Sequence, residues 1–199
     1  MIFLARHGET DWNKKGLIQG RVDRGLSETG KEQAKRISDF LQDKGISAIY
    51  CSALRRSIQT AEELSKRIGI KPTSISEINE LSFGIFEGKP KSEFRASKIF
   101  DERAKDKFNY VIPEGESYAQ ANARIKKSLK KINLKANIAI FGHESINKLI
   151  IGNVLNLEIW QMLDVKHPNG VVYILNSLKK ESEYYDTATK TFHKGLLTG

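Results

Sequence analysis

Two short apolar runs, each followed at once by a histidine, constrain the fold of this chain more than any other feature of its sequence. The first is Ile2–Ala5, which leads into Arg6-His7, and the second is Ile138–Phe141, which leads into Gly142-His143. Four apolar residues in a row, without polar alternation, are typical of a strand buried on both faces of a sheet. Open α/β sheets bind ligands at the carboxyl ends of such strands. Both histidines therefore lie where a ligand site is expected.

Helical periods and further short strands alternate along the rest of the chain. We predict, in chain order, a helix from Glu28 to about Asp43, a strand over Ile46–Cys51, a helix capped by Ser52 and reaching Ile68, a short strand over Pro72–Ile75, helices over Glu116–Lys131, Ser145–Leu155 and Glu158–Leu163, and strands over Gly170–Leu175 and around Tyr184-Tyr185. This alternation predicts an α/β fold, a three-layer αβα sandwich around a central, mostly parallel sheet. The residues after Ala188 receive no assignment.

A polar segment, Lys89–Tyr110, interrupts the alternation. It is rich in Lys, Asp and Glu, with a weak helical pattern through Phe94, Ile99 and Phe100. We interpret it as a helical excursion over the sheet edge and predict a small helical lid inserted at about residues 89–117. The length of the chain is that of one domain and no linker composition interrupts it, so we expect residues 1–199 to form a single domain.

The net charge of +9, from 33 Lys and Arg against 24 Asp and Glu, indicates an attraction for anions. Basic and acidic residues are interspersed, and the one dense basic cluster, at residues 126–131, has the spacing of a solvated helix face. This pattern favours a small anionic phosphorylated metabolite as partner over nucleic acid. No stretch approaches the length of a membrane span, so no membrane partner is expected. A homodimer is the oligomer that base rates favour.

Cysteine usage bears on the compartment of the protein. Cys51 is the only cysteine in the sequence, which excludes an internal disulfide. Chains without disulfides are typical of a reducing environment. We therefore expect a cytoplasmic location.

Three predicted strands end in reactive groups that a parallel sheet would bring to one edge. Besides His7 and His143, the strand that ends at Cys51-Ser52 is followed by Arg55-Arg56 in the first turn of a helix. Imidazoles, guanidiniums and helix N-termini together favour a phosphate group. Glu80 adds a carboxyl group able to exchange a proton. Metal binding is the competing use of His and Glu, but an HExxH pattern and Cys clusters are absent and arginines repel cations, so no metal site is predicted.

Several ordered blocks of residues extend over the range 2–155. They are Leu4–Thr10 with Trp12-Asn13, Gly20, Leu26-Ser27 and Gly30; Ser52–Ala61; Asn79–Gly84 with Glu87-Gly88; and Pro113–Ser117, followed by Gly142-His143. In this order the blocks resemble the histidine phosphatase superfamily, which includes the cofactor-dependent phosphoglycerate mutases. Several blocks in the correct order are far more specific than one motif.

The resemblance implies a role for each matching residue. The implied catalytic residues are His7, Glu80, Arg6, Arg56 and His143, and the candidate phosphate- or substrate-binding residues are Asn13, Gln19, Gly20 and Glu144. His7 would attack phosphorus as a neutral imidazole and become a phosphohistidine, and the neighbouring guanidiniums disfavour its protonated form. Glu80 would protonate the leaving alcohol and then activate water. No metal or organic cofactor is implied, because the guanidiniums supply the electrostatic stabilisation.

Two residues depart from the family pattern near the second histidine. Glu144 occupies a position at which the family often has Gly, and Lys148 one at which many members have Arg. A carboxylate next to a phosphate is repulsive, so we expect the Glu144 side chain to point away and only its backbone N–H to lie near the ligand. These departures bear on substrate preference more than on turnover.

Structural roles compete with functional ones at several positions. Asn13 equally fits a turn or helix cap, and Gln19 equally fits a surface loop. His167 and His193 lie outside every block and are expected at the surface. Arg124 is expected on a solvated helix face.

The leading prediction is a metal-independent phosphatase that hydrolyses small phosphate monoesters through a phosphohistidine on His7. The alternative is a 2,3-bisphosphoglycerate-dependent phosphoglycerate mutase, which needs basic walls around a second acidic group. The segment after Glu80 is short, and we expect it to offer little material for such walls. A second alternative is a non-catalytic binding or regulatory module. The complete set of candidate catalytic residues argues against this last class.

Overall fold

A computed structural model describes residues 1–198 of the chain. Within these residues the strands are β1 (Ile2–Arg6), β2 (Ala48–Ser52), β3 (Thr73–Ile75), β4 (Ile138–Gly142), β5 (Val171–Asn176), β6 (Glu181–Asp186) and β7 (Thr191–Lys194). They form one sheet in the order β3-β2-β4-β1-β5-β6-β7. The pairs β3-β2, β2-β4 and β4-β1 are parallel. The pairs β1-β5, β5-β6 and β6-β7 are antiparallel. The predicted α/β class with mostly parallel central strands is confirmed.

Helices connect the strands. They are α1 (Asp11–Lys14), α2 (Glu28–Leu41), α3 (Arg55–Ile68), α4 (Lys91–Arg95), α5 (Lys98–Lys105), α6 (Tyr118–Leu129), α7 (Glu144–Leu155) and α8 (Ile159–Asp164), with 3-10 turns at Ser76–Ile78 and Gly84–Phe86. The predicted helices and strands are present with boundaries shifted by a few residues. The prediction that Ser52 caps a helix is wrong, because α3 begins after Leu54 and Ser52 is the last residue of β2. The unassigned tail contributes β7.

The apolar strands are buried on both faces, which explains their lack of polar alternation. In β1, Ile2 and Leu4 belong to one core, whereas Phe3 and Ala5 belong to the other. The first core is completed by α6, α7 and α8, and the second by α2 and α3. Each fully buried Ile, Leu or Phe side chain contributes about 1.5–3 kcal/mol by leaving water. The sheet is therefore the middle layer of a sandwich that rigidly supports the ends of its strands.

A small aromatic core holds α4 and α5 near the carboxyl ends of the parallel strands. The buried ring of Phe94 lies with centroid distances of 4.7 Å to Phe86, 5.4 Å to Phe100 and 6.1 Å to Phe83. Aromatic rings at these separations attract one another beyond the area that they bury. This segment is helical in α4 and α5, as predicted. Whether it acts as a lid stays a prediction.

Candidate active site

The candidate site lies at the carboxyl ends of three adjacent parallel strands. In the register of β1 and β4, Arg6 is opposite Gly142, so His7 and His143 are the next residues on neighbouring strands. Their ring centroids are 5.0 Å apart. A cavity of about 300 Å³ opens here, and we call it the strand-end cavity. All nine candidates that the sequence predicts contact this cavity except His143, which lies fully buried beside His7.

His7 is buried and held in one tautomer. Its Nδ1 is 2.7 Å from the carbonyl oxygen of Gly8. A carbonyl accepts and never donates, so Nδ1 carries the proton and Nε2 keeps a lone pair. Burial lowers the pKa of His7 well below its usual value, and the charges of Arg56 and Arg6 lower it further. The imidazole is therefore neutral at physiological pH, and its Nε2 has no hydrogen-bond partner among residues 1–198.

Gly8 allows the loop after β1 to approach α2 closely. A Cβ at this position would collide with the carbonyl oxygen of Gly30, in the first turn of α2. The backbone N–H of Gly8 also donates to Oγ1 of Thr60 on α3, at 3.0 Å. These contacts fix the carbonyl that sets the tautomer of His7.

His143 is fully buried, and both of its ring nitrogens have partners within the protein. Nδ1 accepts a hydrogen bond from Nε of Arg56 at 3.3 Å, and Nε2 lies 2.7 Å from Oγ of Ser52. Burial lowers the pKa of His143 well below its usual value, and Arg56, His7 and Arg6 lower it further. This ring is also neutral, with its proton on Nε2 in this arrangement.

Two guanidiniums supply the positive charge of the site. Arg56 is buried, and it donates through Nη1 to the carbonyl of Val22 and through Nη2 to the carbonyl of Gly20. Burial lowers the pKa of Arg56 to about 10, so it remains a cation at neutral pH. Nε of Arg6 is buried without a hydrogen-bond partner among residues 1–198. An unpaired buried donor is costly, and an anionic ligand would satisfy it.

Glu80 places a carboxyl group in the same cavity. Its Oε1 accepts from the backbone N–H of Leu81 at 2.8 Å, and Oε2 lies 3.5 Å from the backbone N–H of Ser145. Burial raises the pKa of Glu80, against the smaller opposing effects of the Leu81 N–H and Arg56. A carboxyl group whose pKa is raised holds its proton closer to neutral pH and is suited to proton donation.

The remaining candidates border the cavity in different ways. Oδ1 of Asn13 accepts from the backbone N–H of Thr10 at 3.1 Å in a capping box, which leaves its Nδ2 for a ligand. Gln19 is buried, and its Oε1 lacks a hydrogen-bond partner within the described part of the chain. Gly20 has a φ of +49°, and a Cβ there would collide with Glu87. Asn13 is thus both a cap and a cavity residue, and the expected alternative of a surface loop is wrong for Gln19.

Sequence reasoning missed the basic wall of the cavity. Five more cations line it, namely Lys91, Arg95, Arg103, Lys107 and Lys148. The expectation that the segment after Glu80 lacks material for such a wall is therefore wrong. One signal was present: Lys148 stands at a position where many members of the resembling family have Arg.

Two lysines of this wall influence each other directly. Lys148 is buried, and its Nζ donates to the carbonyl of Leu163 at 3.2 Å. Burial lowers the pKa of Lys148, and the charge of Lys107 lowers it further. Within residues 1–198, neither lysine forms an ion pair with a carboxylate. Such a pair of cations favours the binding of an anion.

The burial or the side-chain direction of three residues differs from what was expected from the sequence. His167 is fully buried, and its ring contacts Asn147 and the carbonyl of Val171. Arg124 is half-buried and donates to both carboxylate oxygens of Glu116. The Glu144 carboxylate does not point away from the site, because it forms an ion pair with Arg6 at 2.9 Å. His193 is exposed, as expected.

Groups of metal-ligating side chains and membrane-spanning helices bear on the partners of the protein. Across residues 1–198, no three His, Cys, Asp or Glu side chains are grouped so that they could hold a metal ion. In the same range, no helix has both the length and the apolar character needed to cross a membrane.

The sequence is similar to known proteins along most of its length. The model of the histidine phosphatase superfamily (branch 1) matches residues 2–186. Human 6-phosphofructo-2-kinase/fructose-2,6-bisphosphatase 4 is 30% identical over an alignment 201 residues long, gaps included, which covers 97% of this chain and 42% of that protein. The corresponding protein of Caenorhabditis elegans is 30% identical over an alignment 158 residues long, which covers 75% of this chain and 33% of that protein. The chain thus spans less than half the length of these curated relatives.

Solved structures show the same fold at lower sequence identity. The alpha-ribazole phosphatase of Shigella flexneri superimposes with a TM-score of 0.78 at 22% identity, covering 100% of this chain and 96% of that chain. A mycobacterial glucosyl-3-phosphoglycerate phosphatase gives a TM-score of 0.77 at 21% identity, with 100% and 98% covered.

Proposed function

This chain belongs to the histidine phosphatase superfamily, and on that premise we propose that it hydrolyses small phosphate monoesters through a phosphohistidine on His7. The observation that carries the proposal is the state of His7. Its ring is buried and neutral, its Nδ1 donates to the Gly8 carbonyl, and its Nε2 has no hydrogen-bond partner in the described part of the chain and lies in a cavity with two guanidiniums. A neutral nitrogen in a cationic cavity is suited to attack on a phosphorylated substrate.

The first step transfers the phosphoryl group to the protein. The lone pair on Nε2 of His7 forms a bond to phosphorus, and the bond between phosphorus and the ester oxygen breaks. The leaving oxygen takes the proton of Glu80, and the burial that raises the pKa of Glu80 favours its protonated form. The products are a free alcohol, a phosphohistidine and the Glu80 carboxylate.

The second step returns the protein to its starting state. The Glu80 carboxylate takes a proton from water while the water oxygen bonds to phosphorus. The bond between phosphorus and Nε2 breaks, and its electron pair returns to His7. Inorganic phosphate leaves, and Glu80 is protonated again.

Arginine side chains stabilise the charge on the transferring group. Nε of Arg6 has no partner among the described residues, and Arg56 retains N–H groups beyond those bound to Gly20, Val22 and His143. These donors, fixed before the reaction, hold the phosphoryl oxygens without a metal. Nδ2 of Asn13 adds another donor.

His143 joins this set through a change of tautomer. In the other tautomer, which forms by proton exchange with water before the substrate binds, the imidazole proton is on Nδ1 and the Ser52 hydroxyl donates to Nε2 of His143. Nδ1 then donates to a phosphoryl oxygen in place of its contact with Arg56. Because the hydroxyl both donates and accepts, this exchange breaks no contact between Ser52 and His143.

The basic wall indicates the substrate class. Lys107 and Lys148 contribute positive charge to the strand-end cavity beyond what one phosphate requires. We therefore propose a small phosphorylated metabolite that carries a second anionic group. The curated relatives include fructose-2,6-bisphosphatases, whose named substrate fits this description. The segment of residues 89–117, which supplies Arg103 and Lys107, would close over such a substrate as a lid.

The same wall favours one second candidate, a phosphoglycerate mutase, because a mutase also binds a second acidic group. A mutase returns the phosphoryl group to its substrate, whereas a phosphatase gives it to water. The named relatives are phosphatases, which supports hydrolysis.

The test is release of inorganic phosphate from a panel of monoesters in the presence of a chelator. The panel contains fructose 2,6-bisphosphate, 3-phosphoglycerate, glucosyl-3-phosphoglycerate, α-ribazole 5′-phosphate and an aryl phosphate. We expect turnover that survives the chelator and is abolished by His7→Ala, and an acid-labile phosphoprotein in the wild type. Isomerisation of 3-phosphoglycerate without phosphate release would instead identify a mutase. Absence of both reactions would refute the catalytic proposal and favour a binding module.

A further inference from the structure

One end of the Arg6 guanidinium is held by two acceptors. Nη1 donates to Oε2 of Glu144 at 2.9 Å and to the carbonyl oxygen of His167 at 3.2 Å. Nε of the same guanidinium is buried and has no partner within residues 1–198. The held nitrogen and the unpaired nitrogen thus lie at different edges of one planar group.

This division matters because a guanidinium binds phosphate through a pair of adjacent N–H groups. With Nη1 engaged by Glu144 and His167, the edge formed by Nε and Nη2 of Arg6 remains for a ligand. Rotation of the guanidinium would exchange these edges and point the engaged one at the phosphate. A contact that prevents the rotation therefore decides which edge binds.

The backbone places Glu144 where it can make this contact. It is the first residue of α7 and directly follows His143. An acidic residue is favourable in the first turn of a helix, which accounts for a carboxylate at this position but not for its direction toward Arg6. Its side chain is 40% exposed, and an ion pair with such an exposed partner adds little to stability.

Glu144 also separates the strand-end cavity from a second one. A cavity of about 450 Å³ lies next to it, and the two share Arg6, Lys107, Glu144 and Lys148. Glu144 is the only acidic residue of this shared set. Without its negative charge, Arg6 would face two cations, Lys107 and Lys148, and no anion within this shared set.

The second acceptor of Arg6 Nη1, the carbonyl of His167, is held rigidly. The ring of the buried His167 bonds through Nε2 to the carbonyl of Val171 and through Nδ1 to Asn147. Asn147 in turn donates to the carbonyl of Ala5, the residue before Arg6. The carbonyl that receives Nη1 is therefore fixed relative to the backbone that carries Arg6.

We propose that Glu144 is a positioning residue that holds the Arg6 guanidinium with its Nε–Nη2 edge toward the phosphate. This inference rests on the proposed function, since it assigns a reason for the orientation of a phosphate-binding group. It gives the departure at residue 144 a role in turnover and not only in substrate preference.

Two substitutions separate orientation from charge. Glu144→Gln keeps an oxygen that accepts from Nη1 of Arg6, whereas Glu144→Ala removes both the acceptor and the charge. Glu28→Ala is the matched control: Glu28 is also the first residue of a helix, forms an ion pair with Lys31 at 2.7 Å and lies outside both cavities.

We expect Glu144→Ala to lower kcat about tenfold, because a misplaced group costs rate. Glu144→Gln should retain kcat within about threefold and bind inorganic phosphate about fivefold more tightly in calorimetry, since a repulsive charge is gone. In ¹⁵N spectra of the arginine side chains, the separate Nη signals of Arg6 should persist in Glu144→Gln and merge in Glu144→Ala. Glu28→Ala should match the wild type in every measurement.

The inference is overturned if Glu144→Ala keeps wild-type kcat, or if Glu144→Gln falls as far as Glu144→Ala. A wild-type protein that turns over no monoester would instead refute the proposed function. Arginine spectra that do not change in Glu144→Ala would overturn the positioning role independently of any substrate.

Discussion

Replacement of Glu80 by glutamine separates the two proposed steps of the reaction. In Glu80→Gln the amide oxygen still accepts from the Leu81 N–H, at 2.8 Å in the wild type, but no proton remains to transfer. Gln has nearly the shape of protonated Glu, so the buried environment of residue 80 is preserved. The substitution therefore tests proton transfer with little change in structure.

The size of the effect depends on the leaving group. General acid catalysis contributes about 10²–10⁴-fold, or about 2.7–5.5 kcal/mol of activation free energy. An alkyl monoester needs the proton and should lose this factor in Glu80→Gln. An activated aryl phosphate leaves as a stable phenolate, so its first step should slow by less than about tenfold. Hydrolysis of the phosphohistidine still needs a base for water and should become rate-limiting.

Rapid-mixing kinetics with p-nitrophenyl phosphate measures this separation. We expect Glu80→Gln to release one nitrophenolate per active site in a burst, followed by slow turnover, with phosphohistidine accumulating. In the wild type, kcat/KM for an alkyl monoester should fall as the pH rises through the raised pKa of Glu80, because the proton donor is lost. The kcat/KM of Glu80→Gln should not fall over this pH range.

Two results would refute the reasoning. One is an equal loss of kcat/KM for the alkyl and the aryl substrate without a burst. The other is a fall of kcat/KM with rising pH in Glu80→Gln that equals the fall in the wild type. Glu32→Gln, an exchange on the exposed face of α2, is the control and should have no effect on turnover. Equal thermal unfolding temperatures of the two variants would confirm that the Glu80 substitution leaves the fold intact.

Three further predictions concern the wall, the core and the loop. Lys148→Met should lower kcat/KM about 10- to 100-fold for a substrate with a second anionic group, since a hydrogen bond to a charged group contributes about 1.5–3 kcal/mol. The same variant should leave kcat/KM for an aryl phosphate unchanged. Lys127→Met removes the same charge from an exposed helix face and should change kcat/KM for neither substrate. Burial lowers the pKa of His167 from 6.5 to about 3, so the unfolded chain binds a proton that the folded protein excludes, and stability falls as the pH falls below 6.5. Between pH 7 and pH 5 this one histidine lowers the unfolding free energy by about 2 kcal/mol. In denaturant titrations over the same pH range, the unfolding free energy of His167→Asn should therefore fall by about 2 kcal/mol less than that of the wild type. Gly8→Ala should lower the unfolding free energy by about 1–3 kcal/mol, because its Cβ would collide with the carbonyl of Gly30, and an unchanged urea midpoint would contradict this.

Local patterns predicted the sheet well because burial on both faces leaves a direct trace in sequence. Ile2–Ala5 and Ile138–Phe141 have no polar residue to face water, and both are fully buried. The residue at which each strand ends can also be recognised in the sequence, and the carboxyl ends of neighbouring parallel strands lie together. The proximity of His7 and His143 therefore followed from a parallel sheet. The antiparallel direction of β5 to β7 did not follow, because the residues of a strand carry no mark of the direction of its neighbour.

The residues that were wrongly predicted to be at the surface have a common explanation. His167 and Arg124 lie outside the apolar patterns, and their burial depends on partners that are far away in sequence. His167 contacts Asn147, 20 residues away, and Arg124 donates to the carbonyl of Glu77, 47 residues away. A polar side chain is buried only when such partners meet it, which sequence patterns do not report.

The sequence by itself determined the class of fold and the order of the blocks, and its resemblance to a known family named nine candidate residues, eight of which line the strand-end cavity. Burial of apolar side chains and strand termination are local properties, so they can be read along the chain. Only the tertiary structure decided the tautomer of His7, the direction of Glu144 toward Arg6 and the wall that contains Lys148. These features depend on charges and hydrogen-bond partners that approach from distant segments, and their energies exist only once the chain has folded.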